Sequence, residues 1–198
     1  MSMAGSFSDP TASLLAAHPA TLSLKLRFGD AAIAVHTNAR SLYDKLARYY
    51  ADFMGDDAPA DIEVTAVECP APDLDLPFAV KEREPGKTKI YELFVVYADG
   101  GVVRKLLTGI IFALGGGRNY ALGPCTDNDN HVVNFINNRF IERVIRQGSL
   151  LFHAAGVAEA GRGLVMSGFS GAGKSTLALR IMARGSDFVC FARIMVRR

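Results

Sequence analysis

The chain has 198 residues, of which 49% are hydrophobic and 21% charged, and its formal net charge is +2. These proportions are ordinary for a folded globular protein, and the length suits one domain of good size or two small ones. A charge balance this close to zero supplies neither a basic surface for nucleic acid nor an attraction to anionic membranes. We therefore expect no nucleic acid and no membrane among the partners.

The cysteines and the N-terminal residues bear on the cellular compartment. Cys69, Cys125 and Cys190 lie far apart, and no two of them form a CxxC pair. An odd, scattered set is typical of reduced thiols rather than of a disulfide framework or a zinc site. Residues 1–20 lack the charged start and long apolar core of a secretory signal, and we expect a flexible leader with a short helix near Ser13–Ala17. These features predict a cytoplasmic protein.

Residues 21–148 are predicted to form an α+β region. Alternating apolar residues predict strands over Leu22–Phe28, Ala32–His36 and Asp61–Glu68. Between the second and third strands we expect a helix capped by Asn38 or Ser41. Its apolar residues recur at helical spacing: Leu42, Leu46, Tyr49, Tyr50 and Phe53. Both tyrosines are expected to lie in the core.

A proline-rich stretch and further strands follow. Cys69–Lys87 contains four prolines, which predicts a long surface loop. The β-rich runs Lys89–Ala98 and Val102–Leu114 are separated by Asp-Gly-Gly, a hairpin signal. The apolar stretch Leu106–Leu114 is too short to cross a bilayer, and a buried strand is expected there. Another strand should include Asn119–Leu122.

A long amphipathic helix is predicted to close this region. Asp127 or Asp129 can cap it and Gly148 ends it. Its apolar face comprises Val132, Val133, Ile136, Phe140, Val144 and Ile145. The order of elements through residue 148 then predicts a mostly antiparallel sheet with helices segregated from it.

Residues 149–198 follow a different pattern. Strands are expected over Leu150–Glu159 and Gly163–Ser167, joined by a tight turn, and the second leads into a loop that matches GxxxxGK[ST]. Glycines let successive amides turn inward around an anion, and the following helix presents its positive end. Lys174 adds a charge toward the outer phosphates, and the Ser175 hydroxyl can ligate Mg²⁺. The motif predicts a phosphate-binding loop.

A histidine-bearing strand ahead of this loop distinguishes the chain from the commonest phosphate-loop folds. The pattern resembles the HPr kinase/phosphorylase family, in particular its divergent bacterial kinases, and more distantly the nucleotide domain of phosphoenolpyruvate carboxykinase. The similar residues include His153, Gly163–Gly168, Ser170–Ser175 and Phe188–Val189. The resemblance is specific over about residues 150–190.

The resemblance implies an incomplete kinase domain with the fold of phosphoenolpyruvate carboxykinase, which transfers the γ-phosphate of ATP to a serine-type hydroxyl on a protein or a small molecule. By position, His153 would lie at the edge of the transfer site as a catalytic residue, and Ser175 would bind Mg²⁺. The residues that would bind the nucleotide are Gly168, Ser170, Gly171, Ala172, Gly173, Lys174, Ser175 and Thr176.

The chain also departs from the family. Relatives place one or two aspartates just after the strand that follows the loop helix, whereas Cys190–Arg193 contains no carboxylate, and Asp187 is interpreted as a connecting residue. Relatives also continue well past this point, so we expect an N-terminal piece of a longer kinase or a degenerate copy. The open sheet edge that this leaves predicts low solubility, and a homo-oligomer is compatible with the sequence.

Three interpretations of function stay open at this point. The first is an active kinase, and the second is an inactive remnant that still binds nucleotide. The third is a phosphate-loop ATPase or GTPase of another class, which a loop strand in the centre of a parallel sheet would favour. The sequence does not distinguish ATP from GTP.

Overall fold

The structure is a computed structural model that describes residues 10–80, 91–190 and 193–197. It is a mixed α/β protein with a large, mostly antiparallel sheet and helices, as predicted. The chain divides into two compact units, Met1–Phe140 and Ile141–Arg198, whereas the predicted boundary follows residue 148. None of the helices in the described ranges is long and apolar enough to cross a membrane.

The first unit is built on an eight-stranded sheet. Its elements, with the helix that continues past residue 140, are α1 Ala12–Ala17, β1 Leu22–Phe28, β2 Ala31–Thr37, α2 Arg40–Tyr49, a 3-10 helix Ala51–Phe53, β3 Ile62–Glu68, β4 Ala79–Val80, β5 Glu92–Tyr97, β6 Gly100–Lys105, β7 Ile111–Gly115, β8 Arg118–Gly123 and α3 Asp129–Arg146. The strand order is β1-β2-β3-β8-β7-β6-β5-β4. Among the described strands, only β2–β3 and β3–β8 pair in parallel, and the connection between β2 and β3 contains α2.

Both faces of this sheet bury apolar side chains. Strand alternation sends Val64 toward the helices, where Leu42 and Ile136 complete the larger cluster. The neighbouring Val67 joins a cluster on the other face, which the α1 side chain Leu14 helps to cover. The proline-rich stretch packs on that face through Leu74, Leu76 and Phe78. The predicted surface loop therefore contributes to the core.

The helix cap that the sequence predicts for α2 is wrong. The helix begins after Ala39, and no side chain caps it. Asn38 instead pairs with the backbone of Glu68: its Nδ2 donates to the Glu68 carbonyl at 2.9 Å, and the Glu68 amide donates to its Oδ1 at 2.7 Å. The Ser41 hydroxyl lies 3.4 Å from that of Thr126. These partners are distant in sequence, so local pattern does not reveal them.

Three of the predicted apolar positions are also wrong. Tyr50 is buried, but Tyr49 is 62% exposed, and Phe53 and Ile145 are exposed as well. Of the five apolar residues predicted to be buried on this helix, only Leu42, Leu46 and Tyr50, the residue directly after α2, are buried. Tyr49 and Ile145 lie near the C-terminal ends of α2 and α3, and their side chains are exposed to solvent.

The predicted buried strand over Leu106–Leu114 is correct only in its second half. Residues 106–110 form a turn, in which Leu107 is 81% exposed. The Gly109 amide donates to the Lys105 carbonyl at 2.8 Å, and Gly109 has the left-handed φ of 72° that favours glycine. The turn splits the predicted run into β6 and β7, which pair antiparallel.

The short helix expected near Ser13–Ala17 is confirmed by α1. Residues 1–9 of the predicted leader lie outside the described residues. The same holds for residues 81–90, on which the predicted loop ends and the run from Lys89 begins.

The second unit contains a three-stranded sheet, a two-stranded ribbon and a helix. Its elements after α3 are β9 Leu150–Phe152, β10 Ala154–Glu159, β11 Arg162–Ser167, α4 Lys174–Met182, β12 Asp187–Cys190 and β13 Ile194–Val196. The sheet order is β11-β10-β12, with both pairs antiparallel, and β9 pairs with β13. The predicted strand Leu150–Glu159 is therefore interrupted at His153, because its two halves belong to different sheets.

The second unit has a small core. Ala155, Val157 and Ala178 are buried together, and Met166 and Ile181 pack against them. The β10–β11 connection consists of Ala160 and Gly161, whose φ values of 48° and 74° are typical of a type I′ hairpin turn. The sheet and α4 are thus held by small side chains and a tight turn.

Candidate phosphate-binding site

The GxxxxGK[ST] loop begins at one end of the strands of the three-stranded sheet; this end is called the loop edge. The Ala154–Ser167 pair is the last of the β10–β11 ladder, so β11 passes into the loop where β10 begins. Strand β12 also runs toward this edge, because it pairs antiparallel with β10 through Gly156 and Cys190. The loop, the start of β10 and the end of β12 therefore lie on the same side of the sheet.

The loop backbone depends on glycine at two positions. Gly171 and Gly173 have φ values of 81° and 79°, in the left-handed region that disfavours residues with a Cβ. A Cβ added to either would meet no atom within 4 Å, so conformation rather than space selects glycine here. The Ala172 amide donates to the Phe169 carbonyl at 3.2 Å and closes the turn between them.

The helix α4 begins directly at the end of this turn. The Gly173 carbonyl accepts the amide of Leu177 at 2.9 Å, which is the first bond of the helix. In the described part of the chain, the amides of Gly171 and Gly173 donate to no backbone carbonyl. Such amides at a helix N-terminus are available to an anion and add to the positive end of the helix dipole.

The Lys174 side chain folds back over the loop. Its Nζ donates to the carbonyls of Gly168 and Phe169, both at 2.9 Å. An ammonium group has three N–H donors, so one remains for a phosphate oxygen. The sequence did not single out the Phe169 carbonyl, because the motif leaves that position unspecified.

The remaining predicted ligands are accessible. Gly168, Ser170, Ala172, Ser175 and Thr176 are all exposed. A search of the described residues finds no group of three or more His, Cys, Asp or Glu residues that could hold a metal ion. The residues at the loop therefore fit a polyphosphate well, whereas they offer Mg²⁺ only the Ser175 hydroxyl beside the phosphates and water.

His153 lies at the same edge as the loop. It immediately precedes Ala154, the residue that pairs with Ser167, and is exposed between β9 and β10. The structure therefore brings His153 and Gly168 to adjacent positions at the end of the hairpin.

The acids of the three-stranded sheet, Glu159 and Asp187, lie away from the end of the strands where the loop begins. Asp187 pairs with Ala158, four residues along β10 from Ala154, which corresponds to roughly 13 Å at ~3.3 Å per residue. Asp187 therefore lies at the opposite end of these strands from the loop. The sequence interpretation places it in the helix-to-strand connection, whereas it is the first residue of β12.

The end of β12 offers no carboxylate among its described residues. The Cys190 sulfur accepts the Arg193 amide at 3.4 Å. Phe191 and Ala192, which complete the segment where relatives carry aspartate, lie outside the described residues.

Among the groups of the first unit whose pKa is shifted are His131 and Cys125. Burial and the nearby Lys105 ammonium lower the pKa of His131, while Glu92 opposes this shift. Burial raises the pKa of the Cys125 thiol, which donates to the carbonyl of Val67 at 3.5 Å. Burial is the largest cause of both pKa shifts, and neither group is part of the loop site.

Comparisons of the chain with protein-family models, with curated proteins and with solved structures find no significant match. Function is therefore inferred from the residues and their geometry.

Proposed function

We propose that the second unit binds ATP through Gly168–Thr176, with the amides around Gly171 and Gly173 and the ammonium of Lys174 holding the phosphates. The observation that carries this proposal is the loop geometry: two left-handed glycines, exposed amides and a lysine whose Nζ lies 2.9 Å from two loop carbonyls. Ser175 would complete the site by contacting Mg²⁺ when the metal accompanies the nucleotide.

The topology around the loop favours a kinase related to HPr kinase, with a fold like that of phosphoenolpyruvate carboxykinase. In the described residues, β11 is at the edge of an antiparallel sheet, and its hairpin partner β10 begins directly after His153. A phosphate-loop ATPase or GTPase of another class would place the loop strand centrally in a parallel sheet. In the kinase, a serine-type hydroxyl on a protein or small molecule would approach from the side of His153.

Nucleotide binding and phosphoryl transfer make different demands on this site. Transfer needs a metal that bridges the β- and γ-oxygens and a group that orients the attacking hydroxyl. The described residues at the loop edge supply Lys174, Ser175 and His153 but no carboxylate. We therefore propose that this chain binds ATP and transfers its phosphate at a negligible rate.

The cysteines support a cytoplasmic location for this activity. None of the three forms a disulfide among the described residues, and Cys69 and Cys125 are buried. Free thiols persist in the reducing compartment where ATP is also abundant.

An ATP titration of the unmodified chain and of Lys174→Ala tests the proposal. Losing a hydrogen bond to a charged group costs about 1.5–3 kcal/mol, which is about a ten- to hundredfold loss of affinity. Arg180→Ala is the matched control, because Arg180 is an exposed cation on the same helix. Its affinity should stay within about twofold of the unmodified chain. Equal ATP affinities for the unmodified chain and Lys174→Ala would contradict the proposal.

A further inference from the structure

A groove with a volume of about 620 Å³ opens beside the turn that joins β10 and β11. Glu159 and Arg162 flank this turn and pair at the end of the ladder opposite to Ala154 and Ser167. The groove is therefore at the far edge of the sheet from the phosphate loop. Its volume falls within the range of small-molecule sites, roughly 300–1,000 Å³.

Two opposite charges line this groove without neutralising each other. Glu159 and Arg162 are directly opposite in the ladder, where such side chains ordinarily interact. The Glu159 Oε2 instead accepts a hydrogen bond from the Ser186 hydroxyl at 3.2 Å. The Arg162 side chain makes no ion pair or hydrogen bond with any other residue that the structure describes. The groove thus presents a carboxylate and a separate guanidinium.

Aliphatic side chains form another part of the groove wall. Val157 is buried, Ile181 is half-buried and Leu164 is half exposed, and all three line the groove. The matching ligand therefore carries an ammonium and a carboxylate close together, next to an aliphatic group. Arginine binds carboxylates through two parallel N–H donors, which fixes the orientation of such a ligand.

We propose that this groove binds an aliphatic α-amino acid. The ligand carboxylate pairs with Arg162, its ammonium pairs with Glu159, and its side chain packs against Val157, Leu164 and Ile181. The Ser186 hydroxyl holds the Glu159 carboxylate in place. The site is independent of the phosphate loop, since no loop residue lines it.

Titration of the unmodified chain with L-leucine, followed by amide chemical shifts, tests this site. L-leucinamide lacks the carboxylate, and 4-methylpentanoate lacks the ammonium. We expect saturable leucine binding in the range of about 1 mM, with each comparator at least about fivefold weaker, because each loses one charge pair. No saturation up to about 10 mM, or equal binding of 4-methylpentanoate, would overturn the proposal.

Two variants extend the test to the residues themselves. Arg162→Gln should weaken leucine binding at least about fivefold while leaving leucinamide binding within about twofold, because only the carboxylate contact is removed. Lys174→Ala should bind leucine as the unmodified chain does. Loss of leucine binding in Lys174→Ala, or unchanged leucine binding in Arg162→Gln, would contradict the assignment. The comparator ligands keep the test decisive if Arg162→Gln fails to fold.

Discussion

The two units of this protein distribute their apolar residues differently. The largest fully buried side chains all belong to the first unit, among them Leu42, Ile111 and Ile136. In the second unit the buried cluster consists of two alanines and one valine, while Leu177, Leu179 and Phe188 are half exposed. Burial therefore stabilises the first unit, whereas the second unit presents the open loop where the candidate chemistry lies.

This difference has consequences for dynamics and ligand binding. Burying a leucine side chain fully contributes about 1.5–3 kcal/mol, so a unit whose leucines are half exposed gains much less. Regions with few buried apolar contacts open at low free energy. A ligand that binds only the folded state adds stability as its concentration exceeds Kd. We therefore expect ATP to stabilise the second unit more than the first.

The largest expected effect comes from a pair of leucine substitutions that tests this contrast. Leu42 is 0% exposed and Leu179 is 54% exposed. Leu42→Ala should destabilise the first unit by about 3 kcal/mol through lost burial and a residual cavity. Leu179→Ala should cost less than about 1 kcal/mol. Urea unfolding followed by circular dichroism measures both. Equal losses would show that the two units do not differ as described.

The next effect concerns the metal. Because the described residues at the loop edge supply no carboxylate, removing Mg²⁺ with a chelator should change ATP affinity by less than about threefold. Cys190→Asp adds an acid at the end of β12 and should raise this dependence to about tenfold, with Cys190→Asn as the isosteric control. Strong Mg²⁺ dependence in the unmodified chain, or robust transfer to a serine hydroxyl, would contradict the proposed function.

The smallest expected effect comes from substitutions in the β10–β11 turn of the second unit. Ala160 has a φ of 48°, a conformation that disfavours residues with a Cβ. Ala160→Asn creates the Asn-Gly pair preferred in type I′ turns and should stabilise this unit by about 0.5–1 kcal/mol. Ala160→Val should destabilise it, because β-branched residues tolerate this φ poorly. Thermal unfolding compares the two, and a more stable valine variant would contradict the turn geometry.

Elements of the fold were predictable where the information is local. The alternation in Leu22–Phe28 matches the bounds of β1, and the helix predicted after the loop motif is α4, which begins at Lys174. The predictions fail where the local structure depends on a residue that is distant in sequence. Asn38 pairs with Glu68 instead of capping a helix, and the strand that contains His153 is interrupted because β9 pairs with β13.

The same distinction applies to the candidate sites. The phosphate loop is contiguous, so its residues could be named from spacing alone. The position of His153 beside Gly168 follows from the hairpin register, and the register also places Asp187 at the opposite end of the strands from the loop. The Glu159–Ser186 contact joins residues 27 positions apart, and no motif marks it.

The central claim is that the amides around two left-handed glycines, together with one lysine, hold a polyphosphate. The most direct test follows backbone amide chemical shifts while ATP is added to the unmodified chain. We expect the largest changes at Gly171, Gly173 and Lys174, with buried amides of the first unit such as Val64 unmoved. In Lys174→Ala, the changes at Gly171 and Gly173 should require about ten- to hundredfold more ATP. Loop amides that stay in place while ATP shifts resonances elsewhere would contradict the account.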